Sequence, residues 1–502
     1  MSKKVKVSPS CEEMLSLIQQ MPECKVIPVC TRIPSDSTTP IEVMRRLKAA
    51  SRHCFMLESV EDSKQYSRYT FLGYDPKLEV TCLNHEVTIR AGEDIKTENV
   101  KHPGELIRSI LADYKSVKIA GMPSFTGGLV GYFSYDYIKY AEPTLKLNAK
   151  DEESFKDVDL MLFDKVIAFD NLKQQIVVIV NVSVMDAVKN YETAVKDIED
   201  MVKLILKGAK AEIPAMKLKS EFTPLFNEQQ YCSMVEKAKH YIHEGDIFQV
   251  VLSNRLMAEY EGSLFDAYRN LRMLNPSPYM FYFSSDDVEI AGASPETLVK
   301  LEDGVLHTFP LAGTRPRGKD DEEDKRLEQE LLADEKELSE HNMLVDLGRN
   351  DIGKISKIGT VSVEKYMQIE RYSHVMHIGS TVRGIIADDK DAIDAVDSIL
   401  PAGTLSGAPK LRACEIINEL EDNKRGIYGG AIGYIDFTGN LDTCIAIRLA
   451  FGKNGKVFVR SGAGIVADSV PVNEYNECIN KAKAVMMAVR DSEGGIDNDF
   501  AN

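Results

Sequence analysis

The turns near the end of the chain constrain its fold most. "FTGN" (437–440) and "GKNGK" (452–456) are tight hairpin signals. The runs around them, "GGAIGYID" and "DTCIAIRLAFGKNGKVFVRSGAGIV", read as strands, so neighbours there are antiparallel. Upstream, "DIFQVVLSNRL", "PYMFYFSS", "VEIAGAS" and "TLVKLEDGVLHTF" are further strand candidates. A doubly wound parallel sheet needs helices alternating with strands, and no such alternation occurs. The pattern predicts an α+β fold, with antiparallel sheets packed together and helices outside.

The first part mixes strands, "HCFMLESV" (53–60), "RYTFLGYDP" (68–76), "KLEVTCLNHEVTIR" (77–90) and "QQIVVIVNVSV" (174–184), with helices over 104–114 and 186–206. Residues 207–226 have no periodicity and read as a linker. The division is thus an N-terminal domain (1–206), the linker, a second domain (227–490) and a flexible tail (491–502).

A net charge of −17 over 502 residues opposes binding to nucleic acid or an anionic membrane. No apolar run reaches the roughly 18 residues of a membrane span. The start, "MSKKVKVSPSCEEML", carries lysines with no apolar segment behind them, so a cytoplasmic location is expected. Nine cysteines without a C-x-x-C pair indicate neither a zinc ribbon nor a thioredoxin-like centre.

"SGAGIVADSVPVNEYNECINKAKAV" (461–485) places Gly462, Gly464 and Ala467 in a G-x-G-x-x-A pattern after a strand. A dinucleotide fingerprint opens a helix at once, whereas Pro471 delays it here, so that reading fails. The glycines serve a tight turn or admit a ligand to backbone N–H donors. The next helix carries Glu474 and Glu477, three apart, then Lys481. A second helix, expected to run unbroken from 324 to about 347, repeats the spacing with Glu337 and Glu340. One such pair usually means solvated surface. Two pairs suggest facing carboxylates with a cation between them, and oxygen-only ligands suit Mg²⁺.

"LPAGTLSGAPKLRACEIINEL" (400–420) is a loop feeding a helix that Ser406 can cap. It is a well-made helix start, or an anion site with Thr404 beside it. "FPLAGTRPRG" (309–318) gives a Gly313–Thr314 loop followed by two arginines. Arg448 lies in an apolar strand and requires an ion pair or a ligand. The histidine pairs of "HYIH" (240–243) and "HVMH" (374–377) lack a third metal ligand and read as packing residues.

Taken together, "GDIFQVVLS", "NPSPYMFY", "GASPE", "PLAGTRPRG", "HNMLVDLGRND", "PAGTLSGAPK", "RGIYGGAIGY" and "RSGAGIVADSVP", with the "E..NKA" pattern, resemble the chorismate-utilising enzymes, and among them component I of anthranilate synthase. The resemblance runs from about residue 50 to 490. It implies a large antiparallel β-sandwich with external helices, its two halves flanking an active-site cleft. It assigns Mg²⁺ to Glu340 and Glu477, supported by Glu337 and Glu474. The backbone of Gly462, Ala463 and Gly464, with Lys481, is implied to hold the ring carboxylate of chorismate. Tyr428, Arg448, Gly313, Thr314 and Thr404 are implied to surround its other groups. Glu296 resembles the general acid for the departing hydroxyl, and His377 the histidine of pyruvate elimination, which displaces its reading as a packing residue.

Branches of this family that add water carry lysine where this chain has Gln249, the residue expected to orient ammonia. Aminodeoxychorismate synthases often carry lysine where Ala312 stands. Both positions favour anthranilate over an aminodeoxychorismate- or salicylate-forming relative. No cysteine lies in a G-x-C-x-G elbow, so ammonia is expected from a separate glutamine amidotransferase subunit. Ser59 of "MLES", with Pro278, Tyr279 and Met280, resembles a tryptophan-binding site for feedback inhibition. The chain itself contains no tryptophan.

Overall fold

The computed structural model describes residues 5–59, 68–371 and 375–496. Two antiparallel sheets, of thirteen and twelve strands among the described residues, make up the body. In the first, the order is Val26–Pro34, Gln175–Ser183, Lys165–Asp170, Tyr69–Tyr74, Cys54–Glu58, Tyr279–Ser284, Glu289–Ser294, Leu449–Lys453, Lys456–Ile465 and Gln249–Glu261. The second runs from Leu311–Pro316 through Val375–Ile385, Val305–Thr308, Thr297–Glu302, Leu441–Ile445 and Ala431–Asp436. It continues through Gly128–Phe133, Val158–Phe163, Leu78–Leu83 and Glu86–Ala91 to Asp94–Asn99.

Alternation along the strands builds two cores. Phe55, Phe281 and Phe283 point into the layer between the sheets, where they meet Leu129, Leu160 and Ile432 of the second sheet. Cys54, Met56 and Tyr282 point the other way, onto helices. Met44 and Leu47 of Pro40–Ala50, Ile198 and Ile205 of Ala187–Lys207, and Val485 and Val489 of Pro471–Arg490 cover that face. A strand buried on both faces loses its polar alternation, so Gly128–Phe133, Val158–Phe163 and Lys165–Asp170 leave little pattern in the sequence.

Both sheets run across the division between the two parts of the chain. Met280 pairs with Glu58 in one, and Gly433 with Gly131 in the other. The segment 207–226 contributes two short strands, Lys217–Leu218 and Thr223–Pro224, paired to Gln249–Glu261. The start of the expected free tail is tied down: Gly494 N–H donates to the Met216 carbonyl at 3.1 Å, and Ser492 is buried. Residues 497–502 of that tail lie outside the described residues, as does His374.

The single helix expected over 324–347 is two, Asp321–Leu332 and Glu335–Gly353. Asp334 makes the break. Its carboxylate accepts from the backbone N–H groups of Lys336 and Glu337 at 3.2 and 3.3 Å, capping the second helix. Arg315 donates to the same carboxylate at 2.9 Å. The restart sets Glu337 against strand Leu311–Pro316, where a Cβ on Gly313 would lie 3.2 Å from Glu337 Oε2.

Candidate active site

Two of the chain's crossings between the sheets, residues 294–297 and 445–449, are neighbours. Ladders cannot satisfy the backbone there, so the crossings satisfy each other. Ile445 N–H donates to the Glu296 carbonyl at 3.0 Å, Ser294 Oγ to the Ile445 carbonyl at 2.7 Å, and Ala293 N–H to the Arg448 carbonyl at 3.0 Å. Arg448 adopts a left-handed conformation, φ 53°, to make its turn. The interlock puts Glu296 and Arg448 on adjacent pieces of fixed backbone.

Burial pushes the Glu296 carboxyl up to about 7, against the opposing pull of a hydrogen bond from Thr404 and the charge of Lys481. Thr404 Oγ1 donates to Glu296 Oε1 at 3.0 Å. Such a group carries its proton near neutrality and can release it. Arg448 is largely buried, and burial draws its pKa down. It forms no ion pair with a carboxylate among the described residues, and donates to the Lys481 carbonyl at 2.6 Å. An open pocket of about 470 Å³ is lined by Arg448, Glu477 and Lys481, with Asn473, Asn476 and Asn480. The asparagines were missed in the sequence, although their spacing of three and four marks one helix face.

His377 Nδ1 lies 2.9 Å from the Gly313 carbonyl and 3.1 Å from Thr314 Oγ1. A carbonyl only accepts, so Nδ1 bears the hydrogen. Burial lowers the histidine's pKa, the hydrogen bond to the Gly313 carbonyl opposes this, and the nearby Arg448 charge adds to the lowering. The ring is therefore neutral, with its lone pair on Nε2.

Strand Lys456–Ile465 provides the backbone wall. Gly462 lies opposite Ser253 and Gly464 opposite Val251. Ser253 N–H donates instead to Glu421, and Val251 N–H to the Ser406 carbonyl at 2.9 Å. These are the non-hydrogen-bonded positions of the ladder, so the N–H groups of Gly462 and Gly464 face away from Gln249–Glu261. On that edge, the Gly462 carbonyl accepts from Lys481 Nζ at 3.2 Å. Pairing with Leu449–Lys453 has already ended at Val459. Ala463, between the glycines, is fully buried and has its polar backbone turned into the ladder. The expectation of three donors thus reduces to two. Backbone excludes a side chain at Gly462, where a Cβ would meet the Leu252 carbonyl at 2.7 Å and Tyr428 Oη at 3.2 Å. One on Gly464 would meet Gln249 Nε2 at 2.6 Å.

Gln249 Nε2 donates to Glu340 Oε1 at 3.2 Å. The carboxylate can only accept, which fixes the amide's orientation and leaves Gln249 Oε1 buried without a partner. Glu477 pairs with Lys481 at 2.6 Å. Burial raises the pKa of Glu337, and the charge of Glu340 raises it further. Burial does the same at Glu474, with Glu477 adding to the effect. Glu474 also feels the charge of Lys336, so the two helix starts face each other. No three of these four carboxylates bring oxygens within 4.8 Å of one another. The donor set is all oxygen, and burial makes Glu337 and Glu474 costly to ionise without a nearby positive charge. Both features fit a hard divalent cation such as Mg²⁺. Among the described residues, only His53, Glu79 and Asp286 come that close; Asp286 there is already paired with Arg90.

The segments expected to hold tryptophan are adjacent. Ser59 directly follows strand Cys54–Glu58, which pairs with Tyr279–Ser284, and Pro278 directly precedes that partner. Met280 is buried against the helices. Tyr279 Oη donates to Asp442 at 2.8 Å and accepts from Thr297 at 3.0 Å, one residue from Glu296.

Residues 37–487 match the family model of the chorismate binding enzymes, and the chain belongs to that family. It is 48% identical to anthranilate synthase component 1 of Acetivibrio thermocellus over 475 residues, 93% of this chain and 96% of the relative. It is 42% identical to the same component of Aquifex aeolicus (strain VF5), covering 96% and 98%. Its fold matches the crystal structure of anthranilate synthase component I from Streptococcus pneumoniae TIGR4 with a TM-score of 0.75 and 38% identity, over 90% of this chain and 98% of that one. The menaquinone-specific isochorismate synthase of Escherichia coli shares the fold, with a TM-score of 0.67 at 18% identity.

Proposed function

We propose that this chain is the chorismate-converting subunit of an anthranilate synthase, turning chorismate and ammonia into anthranilate and pyruvate at the start of tryptophan biosynthesis. One observation carries the reading. An acid raised to about 7 and an arginine held in no ion pair among the described residues stand on neighbouring, mutually hydrogen-bonded pieces of backbone. Chorismate supplies the complement: anionic carboxylates and a hydroxyl that leaves only when protonated.

In this reading Arg448 and the N–H groups of Gly462 and Gly464 bind carboxylate and fix the ring. Gln249 Oε1, an acceptor without a partner, orients ammonia by accepting one of its N–H groups. Glu296, held by Thr404, gives its proton to the C4 hydroxyl as ammonia adds at C2. Removal of the C2 proton and departure of pyruvate then aromatise the ring. Neutral His377, with its lone pair on Nε2, serves the elimination. Mg²⁺ held by Glu340 and Glu477, with Glu337 and Glu474 in support, would neutralise the ring carboxylate.

Ammonia would come from a glutamine amidotransferase partner, because this chain has no nucleophile elbow. Tryptophan bound at Ser59, Pro278, Tyr279 and Met280 would inhibit through Tyr279, whose hydroxyl is bonded to the neighbour of Glu296. A cytoplasmic setting agrees with the absence, among the described residues, of a helix able to cross a membrane.

The test mixes purified chain, chorismate, magnesium and ammonium at alkaline pH and follows blue anthranilate emission. Emission should grow in proportion to the chain and vanish with Glu296→Gln. Consumption of chorismate to a hydroxylated or para-amino product would overturn the assignment.

A further inference from the structure

Behind the Thr404 loop lies a buried charge cluster that takes no part in the chemistry above. Glu421, Arg425 and Arg460 are each about 2% exposed. Both guanidinium groups pair with the one carboxylate, leaving a positive charge in excess. Replacing such a cluster by apolar side chains is often neutral or stabilising, so stability alone is a weak reason for it.

The contacts of Arg425 are specific. It donates to the Leu405 carbonyl and to the Val251 carbonyl, each at 2.6 Å. Leu405 follows Thr404, the donor to Glu296. Val251 lies opposite Gly464 and two residues from Gln249. Tyr135 stacks its ring 4.6 Å from the guanidinium and limits its swing. Arg460 sits in the same cluster with different contacts: Ser253 Oγ, Asn423 Oδ1 and the Lys424 carbonyl.

We propose that Arg425 is a positioning residue for this reaction: by clamping the Leu405 and Val251 carbonyls, it holds Thr404 on Glu296 and Gln249 beside Gly464. Lysine keeps the charge but cannot reach two carbonyls and a carboxylate in one plane. The inference rests on the reading of Glu296 as the acid. The hydrogen bond from Thr404 favours the carboxylate form. Loosening it lets Glu296 keep its proton to higher pH, so the basic limb of the rate profile moves upward.

The experiment compares wild type, Arg425→Lys and Arg460→Lys, with ammonia as nitrogen donor at a fixed concentration of its unprotonated form. It measures kcat, KM for chorismate and the thermal midpoint from pH 6 to 9. For Arg425→Lys we expect kcat to fall about tenfold or more, with KM changed less than about threefold and the basic limb raised by about half a pH unit or more. For Arg460→Lys we expect a lowered midpoint with the limb in place. An unmoved limb in folded Arg425→Lys, or equal movement in both variants, overturns the proposal. Arg425→Gln keeps an amide donor for one carbonyl and gives the same readout where the lysine variant does not fold. If Glu296→Gln turns over at the wild-type rate, the reading of the acid has failed and the positioning role falls with it; the lysine variants are not needed to tell the two failures apart.

Discussion

A buried acid kept protonated for chemistry should cost stability once it ionises. The Glu296 carboxyl is raised from its ordinary 4.5 to about 7 by burial. For a carboxyl displaced upward, stability is fully present below 4.5 and is lost as pH rises through 7. At about 1.4 kcal/mol per pH unit the loss approaches about 3 kcal/mol at pH 8.5. The residue keeps some solvent contact in the cleft, so screening makes this an upper bound. Glu296→Gln removes the titration and keeps an acceptor for Thr404. For 502 residues, an unfolding entropy of roughly 2 cal/mol/K per residue converts about 1 kcal/mol into about 1 °C. The variant's thermal midpoint, relative to wild type, should therefore rise by up to about 3 °C between pH 5 and pH 8.5, while anthranilate production disappears. Scanning calorimetry at the two pH values reads this directly. A midpoint difference independent of pH would refute the argument, because it would mean that Glu296 ionises as an ordinary surface carboxyl.

Glu340→Gln or Glu477→Gln should abolish turnover, and a chelator should do the same to the wild type; near-normal rates in saturating magnesium would defeat the assignment of these residues to the metal. His377→Met should still consume chorismate but accumulate the amino intermediate, as chromatography of quenched reactions would show; normal anthranilate output would strip it of its role. Ser59→Ala should relieve inhibition by tryptophan while kcat stays within about twofold of wild type; an unchanged inhibition curve would move the inhibitor elsewhere.

Hairpin chemistry made the antiparallel architecture legible, because "FTGN" and "GKNGK" act over a few residues. What escaped is set by tertiary contacts. The break at Asp334 has no glycine or proline to announce it; it depends on capping and on Arg315, nineteen positions away. The approach of Thr404 to Glu296 spans 108 positions. The motifs supplied both residues, but no periodicity could show that they touch. Asn473, Asn476 and Asn480 had a visible spacing, yet asparagines on one helix face ordinarily meet only water. The alternation that turns Ala463 into the ladder while freeing Gly462 and Gly464 needed the strand register, which composition does not give.

The placement of the site follows from the sandwich. In the interior of a sheet most backbone groups have ladder partners and most side chains are committed to a core. Where the chain leaves one sheet for the other, both commitments lapse together. At 294–297 and 445–449 the two crossings lapse side by side and bond to each other. An acid and a cation placed there are fixed by backbone yet free of a layer. The left-handed turn at Arg448 costs on the order of 1 kcal/mol, and the interlock of Ala293 with its carbonyl holds it. A glycine would turn there more easily, but it would bring no charge to the cleft. In the proposed reaction, the residue in the left-handed turn is the one whose side chain would bind the substrate's carboxylate.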